Sequence, residues 1–272
     1  MAAPSLTRSN ASESDAIRIA SAGHAAFAIA TITLGVITLV TRQLPAVWMP
    51  VPKWAMSAHT LFVYLWALFS IGGGIALFWR RSALLAAQLL FAFSLFWLVA
   101  FRLPNLFYEK PLVLVGWAFG KTAIMVAAAW VLCLWFAADR HPSVVFDGKG
   151  LRLARGLYGV SLIPFGLAHF IYLSATTVLI PSWLPWHTAW AYLTGAAFIA
   201  AGIAISLGVL GGLAAALSTL QLGLFGLIVW VPRVIAGNVN EFQRGEFIVT
   251  FALMAAAWVV ADSYQRAGNP GP

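Results

Sequence analysis

Charge is scarce in this chain. Asp, Glu, Lys and Arg together make up 9% of its 272 residues, against about 25% in ordinary soluble domains. Acidic residues are the scarcer sign, 8 against 16 Lys and Arg, for a net charge of +8. The one cysteine, Cys133, sits inside an apolar run. A lone cysteine excludes an intrachain disulfide and a thiolate metal cluster. The chain has no phosphate-cradling glycine loop, no nucleophile elbow and no paired carboxylates within its apolar runs. Its cations are spread along the chain rather than gathered on one face, so nucleic acid is not an expected partner. The alternating pattern of a membrane β-barrel is missing as well.

What is abundant is apolar. Hydrophobic residues are 62% of the chain and aromatics 14%, and mean hydropathy is +0.89. These values exclude a water-soluble globular domain. They also exclude disorder, which needs a polar, charge-rich chain. Unbroken apolar runs such as Leu84 to Phe101 and Ile248 to Ala261 predict membrane-spanning helices, which satisfy their own backbone in lipid. The fold class expected is an all-α membrane protein with eight transmembrane helices. They fall at about 22–40, 57–79, 82–101, 112–138, 153–174, 187–207, 209–231 and 246–262. Arg80-Arg81 and Gly208 to Gly212 leave room only for tight turns, so the helices beside them are antiparallel hairpins.

Residues 1–16 read as a polar tail. No clean small-x-small cleavage site follows the first apolar run, so a secretory signal is not expected. Arg8, Arg18, Arg80, Arg81, Arg140, Lys149, Arg152, Arg155 and Arg266 fall on one side of the predicted bundle. Arg42, Lys53, Arg102, Lys110, Arg233 and Arg244 fall on the other. The excess on the first side places both termini in the cytoplasm.

The chain matches itself at an offset of 128. His59-Thr60 matches His187-Thr188, Tyr64 matches Tyr192, and Pro104 matches Pro232. Gly74-Ile75-Ala76 matches Gly202-Ile203-Ala204, and Ala127 to Val131 matches Ala255 to Val259. His, Pro, Tyr and Trp in one register are hard to match by chance. The expected organisation is therefore two four-helix repeats. An even helix count per repeat makes them parallel, related by an axis along the membrane normal. The boundaries are a tail and helix entry at 1–21, a first repeat at 22–138, a cytoplasmic linker at 139–152, a second repeat at 153–264 and a short tail at 265–272.

The second repeat opens with Arg155, Gly159, Pro164, Gly166 and His169-Phe170. A loop with Pro181, Trp183 and Pro185 follows, then Tyr192-Leu193-Thr194-Gly195 leading to Gly202. This series resembles the DoxX-like integral membrane protein family, whose members are typically single four-helix units. The founding members are membrane subunits associated with quinone-linked thiosulfate oxidation. The resemblance implies a tandem of two such units in a bacterial cytoplasmic membrane. It also implies quinone as ligand and other membrane or redox subunits as partners. The first unit departs from the pattern: Thr38 stands where His169 stands once Gly35 is aligned with Gly166.

Several residues are candidates for chemistry. His59, His169 and His187 fall near one end of the predicted bundle, where imidazoles can ligate a metal or hydrogen-bond a quinone carbonyl. The alternative is that His59 and His187 cap helix ends and touch interfacial water, and that His169 bonds a neighbouring backbone. Haem is disfavoured, because His59 and His187 share a depth only through the pseudo-symmetry, and no metal site is expected. His24 reads as interfacial. Lys121 falls near mid-membrane if its helix begins at Pro111, where a charge needs a partner or a cavity. If the helix begins nearer Gly116, the lysine snorkels instead. Arg102, with Asn105, Glu109 and Lys110, and Arg233, with Asn238, Asn240, Glu241, Arg244 and Glu246, form polar loop sets that either bind an anion or partner, or pair locally. Trp48, Trp54, Trp183 and Trp186 read as interfacial belt residues. Gly116-x-x-x-Gly120 and Gly208-x-x-x-Gly212 read as close-approach motifs, and Gly72-Gly73-Gly74 as tight packing. Three functions fit this set. One is a membrane subunit or anchor of a quinone-linked redox assembly. Another is a small-solute carrier with a site between the repeats. The third is a structural membrane subunit.

Overall fold

The computed structural model describes residues 17–49, 59–140, 148–237 and 239–268, with His59 described by its backbone alone. Among them there is no strand, only one antiparallel bridge between Ile17 and Trp79. The first half holds α1 (Ala22–Thr41), α2 (His59–Ala76), α3 (Ala83–Trp97), a π-helical turn (Leu98–Arg102), α4 (Asn105–Tyr108) and α5 (Leu112–Arg140). The second half holds α6 (Lys149–Ile171), α7 (Leu173–Leu179), α8 (His187–Leu207), α9 (Gly211–Leu224), a second π-helical turn (Phe225–Trp230), α10 (Val231–Ile235) and α11 (Glu241–Gly268).

Six helices are long and apolar enough to cross a membrane: Ala22–Thr41, Ala83–Tyr108, Leu112–Arg140, His187–Leu207, Gly211–Ile235 and Glu241–Ala267. The pair α6 and α7 passes only jointly, across a 93° bend, and Thr60–Ala76 is shorter. The expected helix over 153–174 therefore breaks at Tyr172. Several polar residues at or near the start of the apolar helices and inside them are satisfied locally. Ser21 accepts from the His24 backbone N–H at 3.0 Å and caps α1. Thr31 and Thr38 donate to the carbonyls of Phe27 and Leu34, both at 2.7 Å, the back-bonding that lets a hydroxyl sit in a lipid-soluble helix.

The core lies around α5 and α11. In each, 67% of the best apolar window is buried, against 28–44% in the other spans. Ala127–Ala129 and Ala255–Ala257 are all at 0–1% exposure, and their small side chains let the central helices approach closely. Helix α5 also packs on α3 and α6, while α11 packs on α9 and α1.

Several elements of the two halves correspond in position. Helices α2 and α8 start at His59 and His187, and α3 and α9 at Ala83 and Gly211, each 128 apart. Both π-helical turns follow the third long helix of their half. A Cβ on Gly35 would lie 2.8 Å from the Ala67 carbonyl and 2.7 Å from Ile71. A Cβ on Gly166 would lie 2.5 Å from both the Gly195 carbonyl and Ile199. Gly74 meets Ala28 and Ile32 as Gly202 meets Gly159 and Ile163. The α1–α2 and α6–α8 crossings are thus alike, with the first helix of each half in a register of 131 and the second in 128.

The π-helical turns explain which residues face inward. Leu90, Ser94, Leu98 and Arg102 are buried at a spacing of four, as are Ser218, Leu222, Gly226 and Trp230. In an α-helix a spacing of four drifts about 40° per step. A wider turn takes up that drift, so the fourth residue still faces the bundle.

Several sequence expectations change. Trp48 is 2% exposed and belongs to the core, not to an interfacial belt, because the chain after α1 folds back into the bundle. Trp183 and Trp186 are exposed, and Trp54 lies outside the described residues. His24 is fully buried rather than interfacial. Arg102 is helical and buried, not a loop residue. Gly208 caps the end of α8 with φ 72° and has nothing near its α-carbon, so it shapes a turn, whereas Gly116 and Gly120 do bring α5 against α6. Gly74 alone of the glycine triplet closes on another helix backbone. Of the tail 1–16 and the linker, residues 1–16 and 141–147 lie outside the described residues.

Candidate functional site

Helix α5 begins at Leu112, so Lys121 lies about 14 Å along it, with about 28 Å remaining to Arg140. It does not snorkel. Its side chain is 6% exposed, and Nζ donates to Glu246 Oε1 at 2.8 Å. Nζ also sits 4.0 Å from the centroid of the Trp117 ring, one helical turn earlier. Glu246 is 8% exposed and inside α11, which starts at Glu241 and not at 246. The pair joins the two central helices within the N-terminal third of each. A lone charge buried this way costs several kcal/mol, and a partner at contact distance offsets most of that.

Arg102 makes a different arrangement. Its Nε donates to Thr122 Oγ1 at 3.3 Å, and Nη2 donates to the carbonyls of Val47, at 3.4 Å, and Met49. Thr122 Oγ1 also donates to the Val47 carbonyl at 2.8 Å. These bonds clamp the segment after α1 into the bundle. Trp48 then lies 4.8 Å from Trp66, 5.4 Å from Phe93 and 6.0 Å from Trp97, centroid to centroid. Among the described residues, Arg102 Nη1 and the indole N–H groups of Trp48, Trp66 and Trp97 have no acceptor. Gln43 extends the clamp by donating to Glu241 at 2.5 Å.

His169 lies on α6, two residues before its last residue, Ile171, and three before Tyr172, where the chain bends into α7. Its Nδ1 is 2.7 Å from the Phe165 carbonyl oxygen. A carbonyl only accepts, so Nδ1 carries the proton, and in the neutral ring Nε2 is a bare acceptor. Among the described residues nothing bonds Nε2. The ring is stacked on Phe225 at 5.9 Å with 13° between planes, and Phe198 lies at 5.7 Å. Gln221 Nε2 donates to the Thr194 carbonyl at 3.0 Å in the same helix pair.

The remaining candidates do not converge on His169. His187 starts α8, and its Nε2 lies 3.2 Å from the Pro181 carbonyl, a contact that closes the preceding loop. His59 starts α2, and its side chain lies outside the described residues. Arg233 donates to the Val178 carbonyl at the end of α7. Among the described residues no three His, Cys, Asp or Glu side chains are grouped to hold a metal ion.

No family model, curated protein or solved structure matches this chain.

Sequence reasoning missed the partners. Glu246 reads from the sequence as a loop charge, yet it neutralises Lys121. Arg155 donates to Ser263 Oγ at 3.0 Å and to its carbonyl at 2.7 Å, and lies over the Tyr264 ring. Tyr158 and Ser218 hydroxyls meet at 2.8 Å, and Asp262 accepts from the Gly23 N–H at 2.9 Å. All are one-per-turn polar positions in apolar helices, a signal that periodicity alone does not separate from packing.

Proposed function

We propose that the chain is a polytopic membrane protein of two parallel four-helix, DoxX-like units with eight spans. In this reading it is a membrane subunit or anchor of a quinone-linked redox assembly. The matched helix starts, paired π-helical turns and equivalent glycine crossings support the duplication. The carrying observation for the ligand is His169. Its tautomer is held by the Phe165 carbonyl, which leaves Nε2 as a hydrogen-bond acceptor in aromatic surroundings. Such a group suits a lipophilic ring bearing a hydroxyl, as in a quinol. A quinone carbonyl offers no proton to Nε2, so the reduced form is preferred at neutral ring charge. One hydrogen bond of about 1.4 kcal/mol makes that preference roughly tenfold. In this reading electrons pass to a partner subunit. Mass spectrometry of lipids extracted from the purified protein tests this. Quinone or quinol enriched over the surrounding membrane supports the site, and none above background refutes it.

A carrier is the second reading, favoured by the Lys121–Glu246 pair between the central helices. Solute flux into proteoliposomes that survives Lys121→Met unchanged removes it.

A further inference from the structure

The end of the bundle where α1 starts and α11 finishes holds a cavity of about 280 Å³. Arg18, Arg80, Arg140 and Asp139 line it, over apolar contacts from Leu77 and Phe136. Its rim is built by the chain before α1. Arg18 N–H donates to the Phe78 carbonyl at 2.8 Å, and Ile17 bridges Trp79, so this segment runs along the turn between α2 and α3. Below it His24 takes the Ala20 N–H on Nδ1 at 3.1 Å and donates from Nε2 to the Leu77 carbonyl at 3.1 Å. Wall and floor are thus held by the backbone, independently of any ligand.

The charge in this cavity is unbalanced. Asp139 is its one carboxylate, and it is shared by Arg18 at 2.9 Å and Arg266 at 2.5 Å. Arg140 donates to the carbonyls of Arg80, at 3.0 Å, and Arg81. Those bonds aim its guanidinium without neutralising it. Arg80 is exposed and has no side-chain bond among the described residues. Three guanidinium groups therefore face one carboxylate that is already doubly paired.

We propose that this cavity binds a phosphate ester. Guanidinium groups fit phosphate oxygens with paired hydrogen bonds. Basic pockets at the ends of membrane helices are placed to take anionic headgroups. The volume is just under the roughly 300–1,000 Å³ of small-molecule sites, so it takes a headgroup and not acyl chains. The source is either an anionic phospholipid or a soluble phosphate ester. The proposal stands apart from the reading of His169, which lies toward the other end of α6.

The test uses the full chain in neutral detergent. Thermal unfolding is followed with added phosphatidylglycerol, phosphatidylcholine or glycerol phosphate. Native mass spectrometry counts retained lipid. The expected result is a midpoint raised by phosphatidylglycerol and not by phosphatidylcholine, with one phosphatidylglycerol retained. A rise with glycerol phosphate alone assigns the soluble source. Arg80→Gln, at an exposed turn, weakens the apparent affinity at least tenfold, while Arg244→Gln, an exposed change near the opposite end, leaves it unchanged. Equal responses to both lipids with none to glycerol phosphate overturn the proposal. So does an Arg80→Gln protein with the full response, or an Arg244→Gln loss as large as that of Arg80→Gln.

Discussion

Removing one member of the Lys121–Glu246 pair has a cost that follows from where the pair sits. The two side chains are 6% and 8% exposed and meet at 2.8 Å, so water does little to screen whichever charge is left behind. Breaking a buried pair from one side costs about 3–5 kcal/mol, whereas replacing both partners with neutral groups of similar volume is close to neutral. The two single changes are not equal. Lys121→Met leaves the Glu246 carboxylate without its ammonium. Glu246→Gln leaves Lys121 an amide oxygen and the Trp117 face, a cation–π contact of about 2 kcal/mol when desolvated. Lys121→Met is therefore the costlier change, and the double variant recovers most of the loss. The assay is reversible unfolding in mixed micelles on all four proteins, read as a double-mutant cycle. The expected coupling is at least about 3 kcal/mol, and the expected fall in midpoint for Lys121→Met is roughly 10 °C. Two single variants that each cost under about 1 kcal/mol and simply add would refute the reasoning.

Arg102→Met strips the bonds to the Val47 and Met49 carbonyls in a buried setting. It is expected to cost about 3 kcal/mol and to open the segment after α1 to limited proteolysis, while unchanged protease resistance counts against the clamp. Gly166→Ala places a Cβ 2.5 Å from the Gly195 carbonyl and is expected to lower stability by about 1–3 kcal/mol. Gly72→Ala meets nothing within 4 Å and is expected to be neutral or to stabilise by up to about 1 kcal/mol, as thermal midpoints of the two variants will show. Mild solubilisation and pull-down from native membranes are expected to bring a redox subunit with the chain, and recovery of the chain alone counts against the anchor reading.

The helices were legible wherever hydropathy and structure obey the same rule. The run expected at 187–207 is α8, and the one at 112–138 is α5 less two residues. The failures share a cause. Hydropathy weighs each residue against lipid by itself, so Glu246 and Arg102 read as loop charges. In the fold each sits inside a helix and is paired or bonded to carbonyls across the bundle. Trp48 beside a helix end has the composition of an interfacial residue. Only the fold-back of the chain, held by Arg102 and Thr122, carries it into the core. The bend at Tyr172 follows no proline at that point, and nothing in the apolar run from 153 to 174 marks it. For the candidate site, His169 and Lys121 stood out by chemistry alone. Their surroundings did not, because a carbonyl that holds a tautomer has no sequence signature.

The most direct test of the central claim is the binding of a short-chain quinol, measured against the matching quinone, to the wild-type chain and to His169→Phe. The expected result is tighter binding of the quinol by roughly tenfold in the wild type, with that preference lost in His169→Phe. Equal affinity for both forms in the wild type, or a quinol preference that survives His169→Phe, would contradict the account.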